Sequence, residues 1–303
     1  MTRSAQKCSF QLILLLVCSF LACAQKAAIQ NIIPASVIVH GNLPYSQDTL
    51  KRHLLDIYIP SGGSNKKPLI VWVHGGAWML NDKYADMDYM RNTVKGLVDS
   101  GYAVASIDYR WSTSAIFPAQ IQDCNQAVEF LYENAAKYNL DKDRIALIGF
   151  SAGGHLASLL GLSNNNNVRA FYPAGKKSNF KIKLVLDFYG PSNLGAVKGA
   201  DLNDPKSPLS LLLGGTVADH PDVAKKASPA TYIDKNDPPF LIVQGEKDES
   251  VDPEQSISLS KLLKDKGVKN DLIVVPGAPH YGVMFDQEYI RKKVFWYLSE
   301  YMK

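Results

Sequence analysis

The chain has 303 residues, of which 46% are hydrophobic and 20% charged, with 33 basic residues against 29 acidic ones and a formal charge of +4. That composition belongs to a globular protein of one large or two small domains and excludes an intrinsically disordered chain. A charge this small and this dispersed argues against a nucleic-acid partner or a membrane-surface role.

At the N-terminus, Arg3 and Lys7 precede an apolar core from Phe10 to Ala22, and Ala22-Cys23-Ala24 stands before Gln25. This is the pattern of a secretory signal peptide with an A-x-A site, too short to span a membrane comfortably. Cleavage after Ala24 would release residues 25–303 as an exported protein, periplasmic or secreted. An alternative takes "FLAC" as a lipoprotein site, with Cys23 as the lipidated first residue and the only membrane link; Phe20, where leucine is usual, weighs against it. Three of the four cysteines, Cys8, Cys18 and Cys23, fall in this segment. The fourth, Cys124, is left without an intramolecular disulfide partner and is expected in the buried face of a helix. No Cys/His spacing resembles a zinc site, so no metal is expected.

From Leu54 onward strand-like and helix-like segments alternate. "HLLDIYIP" alternates apolar and polar, "PLIVWVHGG" is a solid apolar strand, and "YMRNTVKGLVDSG" has helical spacing and closes on Gly101. "YAVASIDYR" predicts a strand, "PAQIQDCNQAVEFLYENAAKYNL" a long helix opened by Pro118, and "RIALIGF" another strand. The rhythm continues with "IKLVLDFYG", "PPFLIVQG", the helix "DPEQSISLSKLLKDKG" with Asp252 as its N-cap, the strand "DLIVVPG" and the helix "QEYIRKKVFWYLSEYM". Continuous apolar strands separated by amphipathic helices imply an α/β protein whose mostly parallel central sheet is covered by helices on both faces. Two stretches, 164–181 and 191–237, break the rhythm and are expected to rim a site at the carboxyl ends of the strands. No repeat or linker divides the chain, so residues 25–303 form one predicted domain.

The chemistry-bearing signal lies in "IALIGFSAGGHLASLLG", Ile145 to Gly161, which begins as a strand and ends as a helix. Between them Ser151 sits at the corner with Gly149 and Gly153 two positions away on each side. A sharp strand-to-helix turn needs small neighbours there, lifts the hydroxyl above the sheet, and aims the Ala152 amide at the same space. This is the geometry of a nucleophile elbow. Serine needs a base, usually histidine. Of the six histidines, His40 and His53 precede the sheet core and His220 lies in an irregular stretch. His155, one helical turn from Ser151, is expected to pack behind the elbow. His280, in "GAPHYG" directly after a strand, is the predicted base. Its carboxylate partner should lie between Ser151 and His280 at another strand end, where Glu246, Asp248 and Glu249 compete and Asp248 is chosen. "VWVHGGAW" ends a strand in small residues that let amides approach a substrate oxygen. Gly76, Ala77 and Ala152 are therefore predicted to form an oxyanion hole, with His74 bracing the loop.

With "HGGAW", "IDYR", "GFSAGGHLA", "DFYGPSNL", "ASPATYIDKNDPPFLIVQGEKDESV" and "VPGAPHYG" in this order, the chain from about Pro34 to Lys303 resembles the α/β-hydrolase superfamily. Within it, the chain resembles the esterases related to hormone-sensitive lipase, and among those the bifunctional feruloyl and acetyl xylan esterases. The resemblance implies the α/β-hydrolase fold, Ser151 as nucleophile, Asp248 as acid and His280 as base, with no cofactor. Ala77 stands where many relatives have glycine, a tolerable change because the donor is backbone. The segment from Gln25 to Pro60 is too short for the helical cap that many relatives carry, which implies a more open site. The function so implied is hydrolysis, through an acyl-enzyme, of acetyl or feruloyl esters on plant-wall carbohydrate of the xylan type. Trp78, Tyr109, Trp111 and Tyr281 are candidate sugar- or acyl-facing aromatics. Two alternatives remain at this level: an aryl formamidase or other small-ester or amide hydrolase, and a non-catalytic binding protein on the same scaffold. The sequence carries no indication of oligomeric state.

Overall fold

The computed structural model describes residues 29, 31–63, 65–166, 168–173, 179–198 and 202–303. The expected export signal at 1–24 and the alternative lipidation at Cys23 lie outside these residues. The strands are β1 (Val37–Pro44), β2 (Leu54–Pro60), β3 (Lys67–Val73), β4 (Ala103–Ile107), β5 (Leu140–Phe150), β6 (Ile182–Phe188), β7 (Phe240–Gly245) and β8 (Asn270–Val275). They form one eight-stranded sheet in the order β1-β2-β4-β3-β5-β6-β7-β8. β2 runs antiparallel to both of its neighbours, and all pairs from β4 to β8 are parallel.

Alternation along each strand divides the interior into two cores. Leu69, Val71 and Val73 of β3 and Ile145 and Leu147 of β5 face one core. Ile70 and Trp72, with Ala146, Ile148 and Phe150, face the other. The first is closed by α2 (Ala119–Glu133), α3 (Ala152–Ser163) and α6 (Glu254–Asp265), through side chains such as Ile121, Leu156 and Leu259. The second is closed by α1 (Arg91–Asp99) and α7 (Glu288–Tyr301). In α1, Val94, Leu97 and Val98 are buried at the i, i+3, i+4 spacing that defines one helical face. The inner strands β3, β4 and β7 are largely apolar because both of their faces are covered, whereas the edge strand β1 is largely exposed. Cys124 is fully buried in α2 and is a free thiol. Asp252 behaves as a cap, its carboxylate accepting the Glu254 amide at 2.9 Å.

The chain from β3 goes to β4 on one side and then back across to β5 on the other, so the strand order reverses at β3. Open α/β sheets place their ligand crevice at such a reversal, outside the carboxyl ends of the strands. The loop after β3 and the turn after β5 both open there.

Ser151, between β5 and α3, has φ 53° and ψ −118°. A non-glycine residue rarely adopts that backbone, and it persists only where its surroundings hold it. The flanking glycines explain how the turn closes. A Cβ on Gly149 would lie 2.1 Å from the Gly153 carbonyl oxygen, and a Cβ on Gly153 would lie 2.1 Å from Val73 O and 2.4 Å from His74 O. The elbow is thus packed backbone to backbone on itself and on the end of β3.

The two irregular stretches divide. Pro191, Val197, Lys198, Pro208 and Leu209 of the second line the large cavity over the strand ends, the last two from the short helix α4 (Pro208–Leu213), which α5 (Pro221–Ala227) follows. In the first, none of the described residues lines that cavity. The reason is that α3 carries the chain away from the elbow for 12 residues, about 18 Å of helix, before that stretch begins. Its Phe171 instead packs edge-on against Phe117 and Tyr232. Residues 37–60 form the edge strand β1, its neighbour β2 and their connection rather than a helical cap.

Gly153→Ala should lower stability by about 3 kcal/mol or more, because the new methyl meets two backbone carbonyls that cannot withdraw. Urea unfolding would read this, and an unshifted midpoint would show that the elbow is not packed as described.

Candidate active site

The structure brings Ser151, His280 and Asp248 into one hydrogen-bonded chain. His280 Nε2 lies 2.7 Å from Ser151 Oγ, and His280 Nδ1 lies 2.7 Å from Asp248 Oδ2. A carboxylate only accepts, so Nδ1 carries the proton, and Nε2 is left with a lone pair toward the serine hydroxyl. The other bonds of Asp248 hold it in place: Oδ1 accepts the Ser250 and Val251 amides at 2.9 and 2.8 Å, and Oδ2 also accepts Gln244 Nε2 at 2.8 Å. Gln244 is itself oriented by Ser256, whose hydroxyl donates to Gln244 Oε1 at 2.8 Å.

Three carboxylates competed for this place, and tertiary structure separates them. Glu246 accepts the Gly277 amide at 2.8 Å and so braces the loop that carries His280. Glu249 is exposed at the cavity mouth. Asp248 alone turns inward, buried beneath the histidine. Gly245 is required at the end of β7, because a Cβ there would lie 2.3 Å from Pro279 O, where the histidine loop crosses the strand end.

Gly76, Ala77 and Ala152 all line the cavity beside Ser151. Among the described residues, no protein acceptor takes the N–H of Gly76, Ala77 or Ala152. Ala152 opens α3, where first-turn amides have no intrahelical partner and the helix dipole favours negative charge. The loop itself is unusual: Gly76, Ala77 and Trp78 have φ of 119°, 51° and 58° in succession. Gly76 cannot be replaced easily, since a Cβ there would lie 2.4 Å from Leu80 O. Ala77 and Trp78 hold left-handed backbone at a cost on the order of 1 kcal/mol or more each.

Side chains behind the loop hold that conformation. The Trp78 indole donates to His155 Nδ1 at 3.1 Å, and His155 Nε2–H donates to Ala227 O at 2.7 Å. His155 is therefore fully partnered and neutral, and burial pushes its pKa down to about 4. His74 donates from Nδ1 to Gly75 O at 2.6 Å, and burial pushes it likewise to about 4.

Of the four aromatics expected at the substrate, two line the cavity. Trp78 forms part of its wall, and Tyr281 stands 65% exposed at its mouth. The other two expectations are corrected. Tyr109 is wholly buried and stacked on His74 with ring centroids 4.3 Å apart, its hydroxyl donating to His74 O at 2.9 Å, so it supports the loop from behind. Trp111 does not line the cavity: the Arg52 guanidinium lies 3.7 Å over its ring, and its indole donates to Asn81 O. Each aromatic in "IDYRW" is spent on packing because the chain turns under the loop after β4 rather than into the site.

Some residues in and behind the site belong to no sequence motif. Gln244 could have been noticed as the one polar residue ending the apolar run "FLIVQ", whereas Asp86 and Tyr189 are placed only by the fold. Tyr189, at φ 48°, packs its ring 5.0 Å from that of His280. Among the described residues no group of three or more His, Cys, Asp or Glu side chains is arranged to hold a metal ion. The cavity has a volume of about 890 Å³.

A mostly parallel eight-stranded sheet, a serine elbow after β5 and a histidine loop after β8 together define an α/β-hydrolase. The chain belongs to the BD-FAE family, whose model matches residues 55–263. It is 30% identical over 245 residues to Esterase LipQ of Mycobacterium tuberculosis, an alignment covering 79% of this chain and 56% of that protein. The chain thus spans little more than half the length of this curated relative. Among solved structures it is similar to a truncated carbohydrate esterase from gut microbiota, with a TM-score of 0.79 and 32% identity over 88% of this chain and 97% of that one. It is also similar to part of a bifunctional GH43-CE protein of Bacteroides eggerthii, with a TM-score of 0.80 and 35% identity over 88% of this chain and 35% of that one.

The neutral histidines carry a testable linkage. An unfolded histidine titrates near 6.5, so between about pH 4 and 6.5 the unfolded chain binds protons that folded His155 refuses. Its contribution is complete above that window and is lost as pH falls through it. His155→Gln preserves an acceptor and a donor but no titration. It should flatten the dependence of unfolding free energy on pH in that window by up to about 1.4 kcal/mol per pH unit. Denaturant unfolding of both proteins across the window checks this; identical slopes would mean that His155 is not held neutral.

Proposed function

We propose that the protein is an exported serine esterase that cleaves acetyl or feruloyl esters of plant-wall carbohydrate through an acyl-enzyme. The observation that carries the reading is the chain from Asp248 through His280 to Ser151, ending at a hydroxyl that faces a large cavity beside three undonated amides.

In this mechanism His280 Nε2 takes the Ser151 proton as Oγ bonds to the ester carbonyl carbon, and the carbonyl electron pair moves to oxygen. The amides of Gly76, Ala77 and Ala152 receive that oxyanion, each donor being worth about 3 kcal/mol in the transition state. Collapse breaks the bond to the alcohol, which leaves with the proton from His280. Water then attacks the acyl-serine by the same route in reverse order of proton transfers, with the acid released. Asp248 holds the imidazole in the productive tautomer and offsets its charge at each step.

The substrate class rests on likeness and on shape. The structural relatives just named include a protein described as a carbohydrate esterase. The cavity, at about 890 Å³, falls at the upper end of the range for ligand sites and is roomy enough for an aromatic acyl group or a sugar beside the scissile bond. An exposed Tyr281 at the mouth offers a ring face for a sugar. Export rests on the signal-like residues 1–24, and an extracytoplasmic polymer is the substrate that such a route would meet.

Ser151→Ala should lower turnover of an aryl acetate by about 10⁴-fold or more while leaving the unfolding free energy unchanged to within about 1 kcal/mol. Release of acetate from acetylated xylan and of ferulate from feruloylated arabinoxylan, by protein lacking residues 1–24, tests the substrate. Hydrolysis of aryl acetates alone would keep the serine mechanism and discard the polymer.

A further inference from the structure

Resting on the esterase reading above, we propose that Asp86 is a positioning residue for that reaction. Its carboxylate ties down the first residue of the oxyanion loop and so sets where the Gly76 and Ala77 amides point. Asp86 Oδ2 accepts the Gly75 N–H at 2.7 Å, and Oδ1 accepts the Tyr89 hydroxyl at 2.6 Å. Tyr89 is in turn 2.9 Å from the hydroxyl of Tyr189, the residue whose ring packs on His280. One carboxylate therefore links the oxyanion loop to the wall of the base.

The loop needs such a tie. Its three consecutive left-handed residues, Gly76 to Trp78, would relax to ordinary backbone if either end were free. The far end is held by Trp78, through its indole on His155 and its carbonyl, which accepts the Ser112 amide at 2.8 Å. At the near end, the Gly75 carbonyl accepts from His74 and, at 3.4 Å, from Asn81 Nδ2, but the Gly75 amide has only Asp86. Gly75 also lies directly against the nucleophile, since a Cβ there would stand 2.9 Å from Phe150 O and 3.5 Å from Ser151 Cβ. A small rotation about Gly75 would swing the next two amides away from the oxygen that Ser151 creates.

The chemistry of the side chain fits this role better than a structural one. Asp86 sits at φ 70°, lines the cavity, and has no lysine or arginine partner among the described ion pairs. Burial pushes its pKa up to about 6. A carboxylate without a cation is a costly choice for mere packing, but it accepts from two donors at once with both oxygens, whereas a carboxamide presents one accepting edge. A charge-assisted bond to the amide is also shorter and stiffer than a neutral one.

The experiment measures kcat and KM for 4-nitrophenyl acetate in wild type, Asp86→Ala, Asp86→Asn and Tyr89→Phe. Asp86→Ala should lower kcat between about 10-fold and 100-fold with KM changed less than about threefold, the range for loss of an outer partner of a reacting group. Asp86→Asn, which keeps an acceptor for Gly75, should recover most of that loss. Tyr89→Phe, which leaves the Gly75 bond intact, should lose about fivefold. Should Asp86→Ala not fold, the Asn and Phe variants carry the test, and wild-type kcat in both would overturn the proposal. So would near-wild-type kcat in Asp86→Ala, or equal losses in the Ala and Asn variants. A wild type that neither turns over the ester nor reacts at Ser151 with a fluorophosphonate would instead overturn the esterase reading itself.

Discussion

The contact of backbone with backbone at the elbow is the constraint on which the site depends. Gly149 and Gly153 let the turn after β5 fold onto itself and onto the last residues of β3, with no room for a methyl group at either position. That one close approach puts Ser151 on top of the sheet at φ 53°, starts α3 under it, and sets the loop after β3 alongside. Larger residues would push the elbow away from β3, and the hydroxyl and the Gly76 and Ala77 amides would no longer share a space. The strain of the turn is borne by the interior beneath it, where Trp72, Phe150 and Phe188 stack with centroids 4.6 and 5.0 Å apart.

Strain and its restraint recur around the cavity. Ala77, Trp78, Asn81, Asp86, Ser151 and Tyr189 all hold positive φ, and all line the same cavity. Three of them are pinned by bonds to partners far along the chain: Trp78 to His155, the Ser151 amide to Phe188 O, the Tyr189 amide to Val243 O, and the Tyr189 hydroxyl to that of Tyr89. Donors so fixed need not reorganise when charge develops, which is the physical advantage of a rigid site over a solvated one. The cost is paid once, in folding, by the two apolar cores.

Electrostatics follow the same division of labour. Two buried histidines are kept neutral and serve as bracing, one behind each end of the loop after β3. The third, His280, stands at the cavity with a carboxylate on one nitrogen and a hydroxyl on the other. Three histidines of identical chemistry thus receive different tasks from burial and partners, and the sequence could rank them only by their place relative to strands and to the elbow.

The fold was legible in the chain because its signals are local. Apolar runs in β3 to β8, the spacing of Val94, Leu97 and Val98, and the glycines beside Ser151 each follow from the geometry of a few neighbouring residues. For the same reason the elbow, the histidine loop and the carboxylate after β7 could be placed in order before their distances were known. What local pattern could not decide is where a side chain points when two or more partners compete. Tyr109 and Trp111 read as site aromatics yet turn under the loop, and the 164–181 stretch reads as a rim yet none of its described residues lines the cavity. Asp86, Tyr89 and Gln244 carry no motif at all, and their places are set by contacts with residues up to 100 positions away. Sequence alone determined the order of elements and the residues that local sterics make special. The separation of Asp248 from its two acidic neighbours, and the bracing of the loop after β3, were decided only in three dimensions. Hydrogen-bond partners and burial depend on which elements pack together, and that is a property of the whole chain.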